Sequence, residues 1–178
     1  MFGYLKRIST ERSSWLLLFV SAICLELTAL YFQYGLKLNP CVMCVYERVA
    51  LFGVAFAGII GFIAPQFFIF RLLALAVGLW GAIKGLLFSI KHVGYQLHPN
   101  PWDQCPMFVQ FPETLPLDKW FPALFHPTGL CSEINWTFMS FTMPQWLVFI
   151  FGFYTVALGL ILLSQLKKSA VKNRDIFR

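Results

Sequence analysis

The sequence predicts an all-α membrane protein, a four-transmembrane-helix bundle, and three observations predict it. Hydrophobic residues make up 58% of the 178 and charged residues 12%, against about 45–50% and about 25% in soluble domains. Four stretches reach the roughly 20 apolar residues that a bilayer-spanning helix needs. The net charge of +6 gathers at the chain ends beside apolar runs. That is a membrane-topology pattern, not the basic stripe of a nucleic-acid surface, so no nucleic-acid partner is expected. The composition excludes a disordered chain. With 12 Gly and no G-x-y period it also excludes a collagen-like one.

The first span covers 15–34. Lys6, Arg7 and Arg12 precede it as they would a signal peptide, but its apolar run is too long for an h-region and no A-x-A site follows, so it is read as retained. The second covers 45–64, the third 71–91 with charges at its ends, and the fourth 145–164. None has a polar half that would let it lie flat on a bilayer. Orientation follows Lys and Arg. Lys6, Arg7, Arg12, Arg71 and five C-terminal cations (Lys167, Lys168, Lys172, Arg174 and Arg178) fall on one side. Residues 1–14, 65–70 and 165–178 therefore face the cytoplasm, and loops 35–44 and 92–144 face outward. The whole chain, 1–178, is one integral membrane domain. The long loop carries Trp102, Trp120 and Trp136, and its stretch Pro116–Pro122 suits either a short element on the membrane surface or a packed loop.

Four of the five cysteines lie on the outer side: Cys41, Cys44, Cys105 and Cys131. Disulfides persist in such a compartment. Cys24 sits alone inside the first span and reads as a small packed hydrophobe. Cys41 and Cys44 form a C-x-x-C motif, either a redox centre or half of a zinc site. Zinc would need two more ligands at suitable spacing, and neither Cys105/Cys131 nor any His pair offers one, so no metal is expected. A purely structural disulfide across two residues would remove little unfolded-state entropy, which favours a redox role. Cys105 and Cys131, taken alone, could equally be a structural staple of the long loop.

The surroundings of Cys44 sharpen the redox reading. It stands at the start of the second span, where the helix dipole favours a thiolate. Arg48, one turn deeper on the same face, can hold a thiolate or a ligand oxygen that gains charge. An arginine just inside a membrane is a functional candidate, with snorkelling to headgroups as the alternative. Glu47 is a candidate beside it, or a simple partner for Arg48. Glu26 lies 11 residues and about 16 Å into the first span, and Lys84 13 residues and about 20 Å into the third. Their matched depth predicts a Glu26–Lys84 pair that fixes helix packing, with a proton-relay role left open. His92 is placed at the outer end of the third span, able to donate to a ligand carbonyl or move a proton, with a merely solvated interfacial histidine as the alternative. Met143 and Gln145 open the fourth span at the same level, and Gln145 could hydrogen-bond a ligand.

A dithiol beside a membrane needs an electron acceptor, because thiol–disulfide exchange only passes oxidation between pairs. No span contains a His for haem, and no G-x-G-x-x-G suggests a nucleotide. A lipid-soluble quinone needs only a gap between helices, a cation near one carbonyl and a thiolate donor. Arg48 and Cys44 offer the last two.

Four motifs carry a resemblance: Glu26-Leu-Thr-Ala-Leu30, Pro40-Cys-Val-Met-Cys-Val-Tyr-Glu-Arg48, Phe111-Pro-Glu-Thr-Leu-Pro-Leu-Asp-Lys-Trp120 and Met143-Pro-Gln-Trp146, with single cysteines at 105 and 131 between them. In this order they resemble the DsbB family, membrane thiol oxidases that reoxidise the periplasmic oxidant DsbA. The DsbA–DsbB–quinone system keeps the bacterial periplasm oxidising. The resemblance covers all but the tails. It implies a bacterial inner-membrane protein with both termini cytoplasmic, two periplasmic loops, a DsbA-like partner, and ubiquinone or menaquinone as cofactor. It further implies that reduced DsbA attacks a Cys105–Cys131 disulfide and becomes bound through Cys105. Cys131 then attacks Cys41, and Cys44 is released to donate to the quinone. Cys41, Cys44, Cys105 and Cys131 are thus the expected catalytic residues; Arg48, Glu47, His92, Met143 and Gln145 are the expected quinone contacts. Val49 follows Arg48 where some relatives carry a further Cys, and Pro106 follows Cys105, which bears on the local turn and the fit to a partner's groove. The alternatives are a vitamin K epoxide reductase-like enzyme and a non-enzymatic membrane protein with structural disulfides.

Overall fold

A computed structural model describes residues 2–98, 105–106, 108–111 and 116–166. Trp102, the segment 112–115 of the third motif and the cations from Lys167 onward lie outside the described residues. Four helices are long and apolar enough to cross a membrane. They are α2 (Arg12–Leu30, continued by a π turn Tyr31–Gly35), α3 (Val42–Ile63), α4 (Phe68–Leu97) and α7 (Met143–Leu166). A short helix α1 (Phe2–Ile8) precedes them. Two single turns, α5 (Leu117–Trp120) and α6 (Pro122–Phe125), sit in the long loop, followed by a hairpin of β1 (Thr137–Phe138) and β2 (Phe141–Thr142).

All four spans begin two or three residues earlier than hydropathy alone places them, and the third ends six residues later. A helix end is set by capping, and caps are polar, so the apolar run understates the helix. At α3 the cap is Cys41, whose Sγ accepts a hydrogen bond from the Cys44 N–H at 3.2 Å. The sequence motif therefore makes its own N-cap. At the head of α7, Gln145 Oε1 accepts the Thr142 N–H at 2.8 Å.

The helices pack in the order α2–α3–α4–α7. The α3–α4 seam is closed by small residues, as membrane interfaces require where backbones approach. A Cβ on Gly81 would stand 3.0 Å from the Ala50 carbonyl and 3.2 Å from the Val54 nitrogen. On the buried stripe of α4, residues Ala74, Leu75, Gly78, Gly81, Ala82 and Gly85 follow helical spacing. Lys84 falls off that stripe and its side chain is exposed on the outside of the bundle. The Glu26–Lys84 pair is therefore not formed: depth along the two helices matches, but direction around α4 does not.

Helices α2 and α7 flank the central pair and are tied to each other by Tyr154 Oη, which donates to Ser21 Oγ at 2.9 Å. Between them runs a long apolar groove with Leu17, Leu25, Phe149 and Phe153 on its walls. Cys24 lines this groove and is exposed, so it is not the packed core residue expected of it. Below the groove, the Trp15 indole donates to the Ser9 carbonyl at 2.9 Å and Gln165 Nε2 to Ser9 Oγ at 3.0 Å, which fastens α1 against α7.

Candidate redox site

The outer end of the bundle brings both cysteine pairs together. Cys41 caps α3 and Cys44 lies in its first turn, with the two sulfurs 2.7 Å apart. Cys105 and Cys131 are joined as a disulfide, Cα–Cα 5.9 Å. Cys41, Met43, Tyr95 and Cys131 form one buried cluster, with Cys44, Tyr46, Phe88 and Cys105 packed against it. The loop is held there by its backbone: the Pro40 carbonyl accepts from the N–H groups of Thr128 and Gly129, at 2.9 and 3.0 Å. Gly129 is required at that clamp, because a Cβ would meet the Asn39 carbonyl at 2.5 Å.

Four polar side chains behind the pairs are almost wholly buried: Glu47 2% exposed, His92 3%, Glu26 4% and Arg48 5%. They divide into two sets. In the first, His92 Nε2 stands 3.5 Å from Cys41 Sγ, and His92 Nδ1 stands 3.1 Å from Glu47 Oε1. With Nδ1–H donating to Glu47, Nε2 is free to exchange a proton with Cys41. His92 is thus an interior residue of α4, not a solvated residue at its end. Glu47 serves His92 and not Arg48.

The second set is built around Arg48. Its Nε stands 2.8 Å from Glu26 Oε1, off the direction of a proper hydrogen bond. Its Nη1 donates to Gln33 Oε1 at 2.9 Å and to the Leu124 carbonyl at 2.5 Å. Arg48 does not snorkel; it joins α2, α3 and α6. Gln33 Nε2 and Tyr34 Oη both donate to the Ala123 carbonyl, so α6 is docked on the end of α2. Neither Gln33 nor the Glu26–Arg48 pair was found by sequence reasoning. The seven-residue step from Glu26 to Gln33 is the signal, since it places both on one helical face.

Glu26, Gln33, Cys44, Glu47, Arg48 and His92 all line one cavity of about 290 Å³, whose other walls include Leu25, Leu51, Leu147 and Ile150. Met143 lines it too; Gln145 does not, its carbonyl being used as the α7 cap. Leu25, Thr28, Trp146 and Ile150 belong both to this cavity and to the α2–α7 groove, so the two adjoin along one wall.

A family model described as "Disulfide bond formation protein DsbB" matches residues 11–161. The chain belongs to the DsbB family. Disulfide bond formation protein B of Mannheimia succiniciproducens is 56% identical over 178 residues, 100% of both chains. The protein of that name from Pasteurella multocida is 55% identical over 177 residues, 99% of both, and that from Haemophilus influenzae strain 86-028NP 51% over 177 residues, again 99% of both. As a DsbB-family member the chain is a multi-pass membrane protein with a role in disulfide formation.

Proposed function

We propose that this DsbB-family chain is a thiol:quinone oxidoreductase of the bacterial inner membrane that reoxidises a DsbA-like periplasmic partner. Both termini are cytoplasmic and the cysteine pairs lie on the periplasmic face. The observation that carries the reading is the shared burial of Cys41 and Cys131, one from each pair, while Cys44 and Cys105 remain partly exposed.

A partner thiolate attacks Cys105 and the Cys105–Cys131 bond breaks. The Cys131 thiolate attacks Cys41, and the Cys41–Cys44 bond breaks with Cys44 as leaving group. The partner's second thiol displaces Cys105 and leaves as its own disulfide; Cys105 then displaces Cys41 from Cys131, which re-forms the outer disulfide and leaves Cys41 and Cys44 as the dithiol to be oxidised. Bound ubiquinone or menaquinone supplies a two-electron, two-proton acceptor, so that one dithiol becomes one disulfide. The cavity suits such a ring: its lining combines apolar side chains with a cation, a sulfur, an imidazole and a carboxylate, Glu26, whose oxygens lack a hydrogen-bond donor among the described residues. The remaining work belongs to the protein. His92 moves the Cys41 proton, and Glu47 holds the imidazole in the tautomer that can do so. Arg48 fixes positive charge in the cavity that Cys44 also lines, and the leucines keep water out. Membership of the DsbB family speaks against a vitamin K epoxide reductase-like enzyme.

The test is quinone reduction by the purified protein with reduced DsbA as donor, with ubiquinone and menaquinone supplied separately. Wild type is run beside Cys44→Ser and Cys105→Ser. Turnover that is lost in both variants is the expected result. Folded wild-type protein that reduces neither quinone would sink the proposal.

A further inference from the structure

Zinc is disfavoured on sequence because the C-x-x-C pair lacks further ligands at suitable spacing. The fold brings one from another helix. Cys41 Sγ, Cys44 Sγ and His92 Nε2 all lie within 4.8 Å of one another. A tetrahedral zinc, with bonds of about 2.3 Å to sulfur and about 2.0 Å to nitrogen, sets its sulfurs about 3.8 Å apart and sulfur from nitrogen about 3.5 Å. The Cys41–His92 distance is already 3.5 Å. The two sulfurs, at 2.7 Å, must separate by about 1 Å to meet the tetrahedral spacing. Cys44 is the less buried of the two and so the side chain with room to turn. His92 also carries the outer-sphere feature that metal-binding histidines share, a carboxylate on its other nitrogen: Glu47 Oε1 at 3.1 Å from Nδ1.

We propose that reduced Cys41 and Cys44, together with His92, form a binding site for a thiophilic divalent cation of the zinc class, with a fourth position open to the cavity. Binding makes two metal–thiolate bonds and one metal–nitrogen bond. It releases two thiol protons to solvent and changes no oxidation state. A Cys41–Cys44 disulfide offers no thiolate, so the oxidised pair does not bind. The ion captures the pair only after it has received electrons and withholds both sulfurs from whatever acceptor serves them. The site is a metal-operated brake on turnover, and it does not depend on that acceptor being a quinone.

The experiment uses the full-length Cys105→Ser/Cys131→Ser protein in detergent, reduced anaerobically, freed of reductant, and titrated with cobalt(II) and then zinc. The expected result is one cobalt per chain, with thiolate charge-transfer and tetrahedral ligand-field absorption that zinc abolishes. The same protein oxidised to the Cys41–Cys44 disulfide gives no such spectrum. Adding His92→Ala shifts the ligand-field bands and weakens binding, and adding Glu47→Gln weakens it by roughly 10–100-fold. Reduced protein without the cobalt spectrum, oxidised protein with it, or an unchanged spectrum and affinity in the His92→Ala protein would each overturn the proposal. The oxidised and reduced samples are one polypeptide, so a folding defect in a variant does not decide the outcome.

Discussion

The two cysteine pairs are built on opposite principles. Cys41 and Cys44 stand three residues apart on a helix start, with a histidine and a backbone N–H on Cys41. Cys105 and Cys131 stand 26 residues apart in a loop, held by a backbone clamp at Pro40 and by the Gln110 N–H donating to Tyr46 Oη at 2.8 Å. Yet each pair buries one sulfur, Cys41 or Cys131, in the common cluster and leaves its mate more accessible. The helix pair lines the cavity and the loop pair does not. On the proposed function the difference gives direction: the loop pair suits a large protein client, the helix pair a small one.

The strongest way to break this contrast is to change donors. With a protein dithiol, Cys44→Ser and Cys105→Ser should both fall to background. With dithiothreitol, Cys105→Ser should keep measurable quinone reduction and Cys44→Ser should not. Equal loss with dithiothreitol would mean that every donor needs the outer pair. Next in size is Arg48→Ala, which leaves Glu26 as a buried unpaired carboxylate at a cost of about 3–5 kcal/mol. Thermal unfolding in detergent should show a large drop in Tm, and the surviving protein a raised quinone KM. Lys119→Ala should change neither. Glu26→Gln combined with Arg48→Met should recover much of the stability and none of the KM.

His92→Ala sharpens the comparison from the inner side. Reoxidation of the reduced Cys41–Cys44 pair should slow by roughly 10²-fold, measured by rapid mixing and acid quench, while attack by the partner on Cys105 keeps its rate. Gln33→Ala should loosen α6 by about 1 kcal/mol, read as faster exchange of the Leu124, Phe125 and His126 amides. Smallest is Lys84→Ala, expected within about 0.5 kcal/mol of wild type; a larger loss would restore the Glu26–Lys84 pairing that the geometry excludes.

Much of this was legible in the sequence because the bilayer is a severe solvent. Unsatisfied backbone is so costly in it that four apolar runs translate into four helices. The C-x-x-C spacing and a lone Arg48 inside a span pointed to the candidate site, since charge in a membrane is rarely idle. What sequence withheld was direction around each helix. Depth is linear in residue number, so Glu26 and Lys84 could be matched in height. Which way Lys84 points is decided by the glycine and alanine stripe that α4 lays against α3. His92 was misplaced because hydropathy ended the third span at Lys91, whereas the helix runs on to Leu97. The partner of Glu47 depends on two helices meeting, which no local pattern encodes.

The gap between α2 and α7 has a kinetic consequence. Its walls are apolar side chains such as Phe153 and Leu17, both exposed on the bundle's flank, and on the proposed function a quinone enters the adjoining cavity sideways, from the hydrocarbon. The quantity that governs filling is then the mole fraction of a lipophilic reactant within the bilayer. Bulk molarity drops out. Adding inert phospholipid to reconstituted vesicles dilutes the reactant in two dimensions and lowers turnover, although nothing in the water has changed.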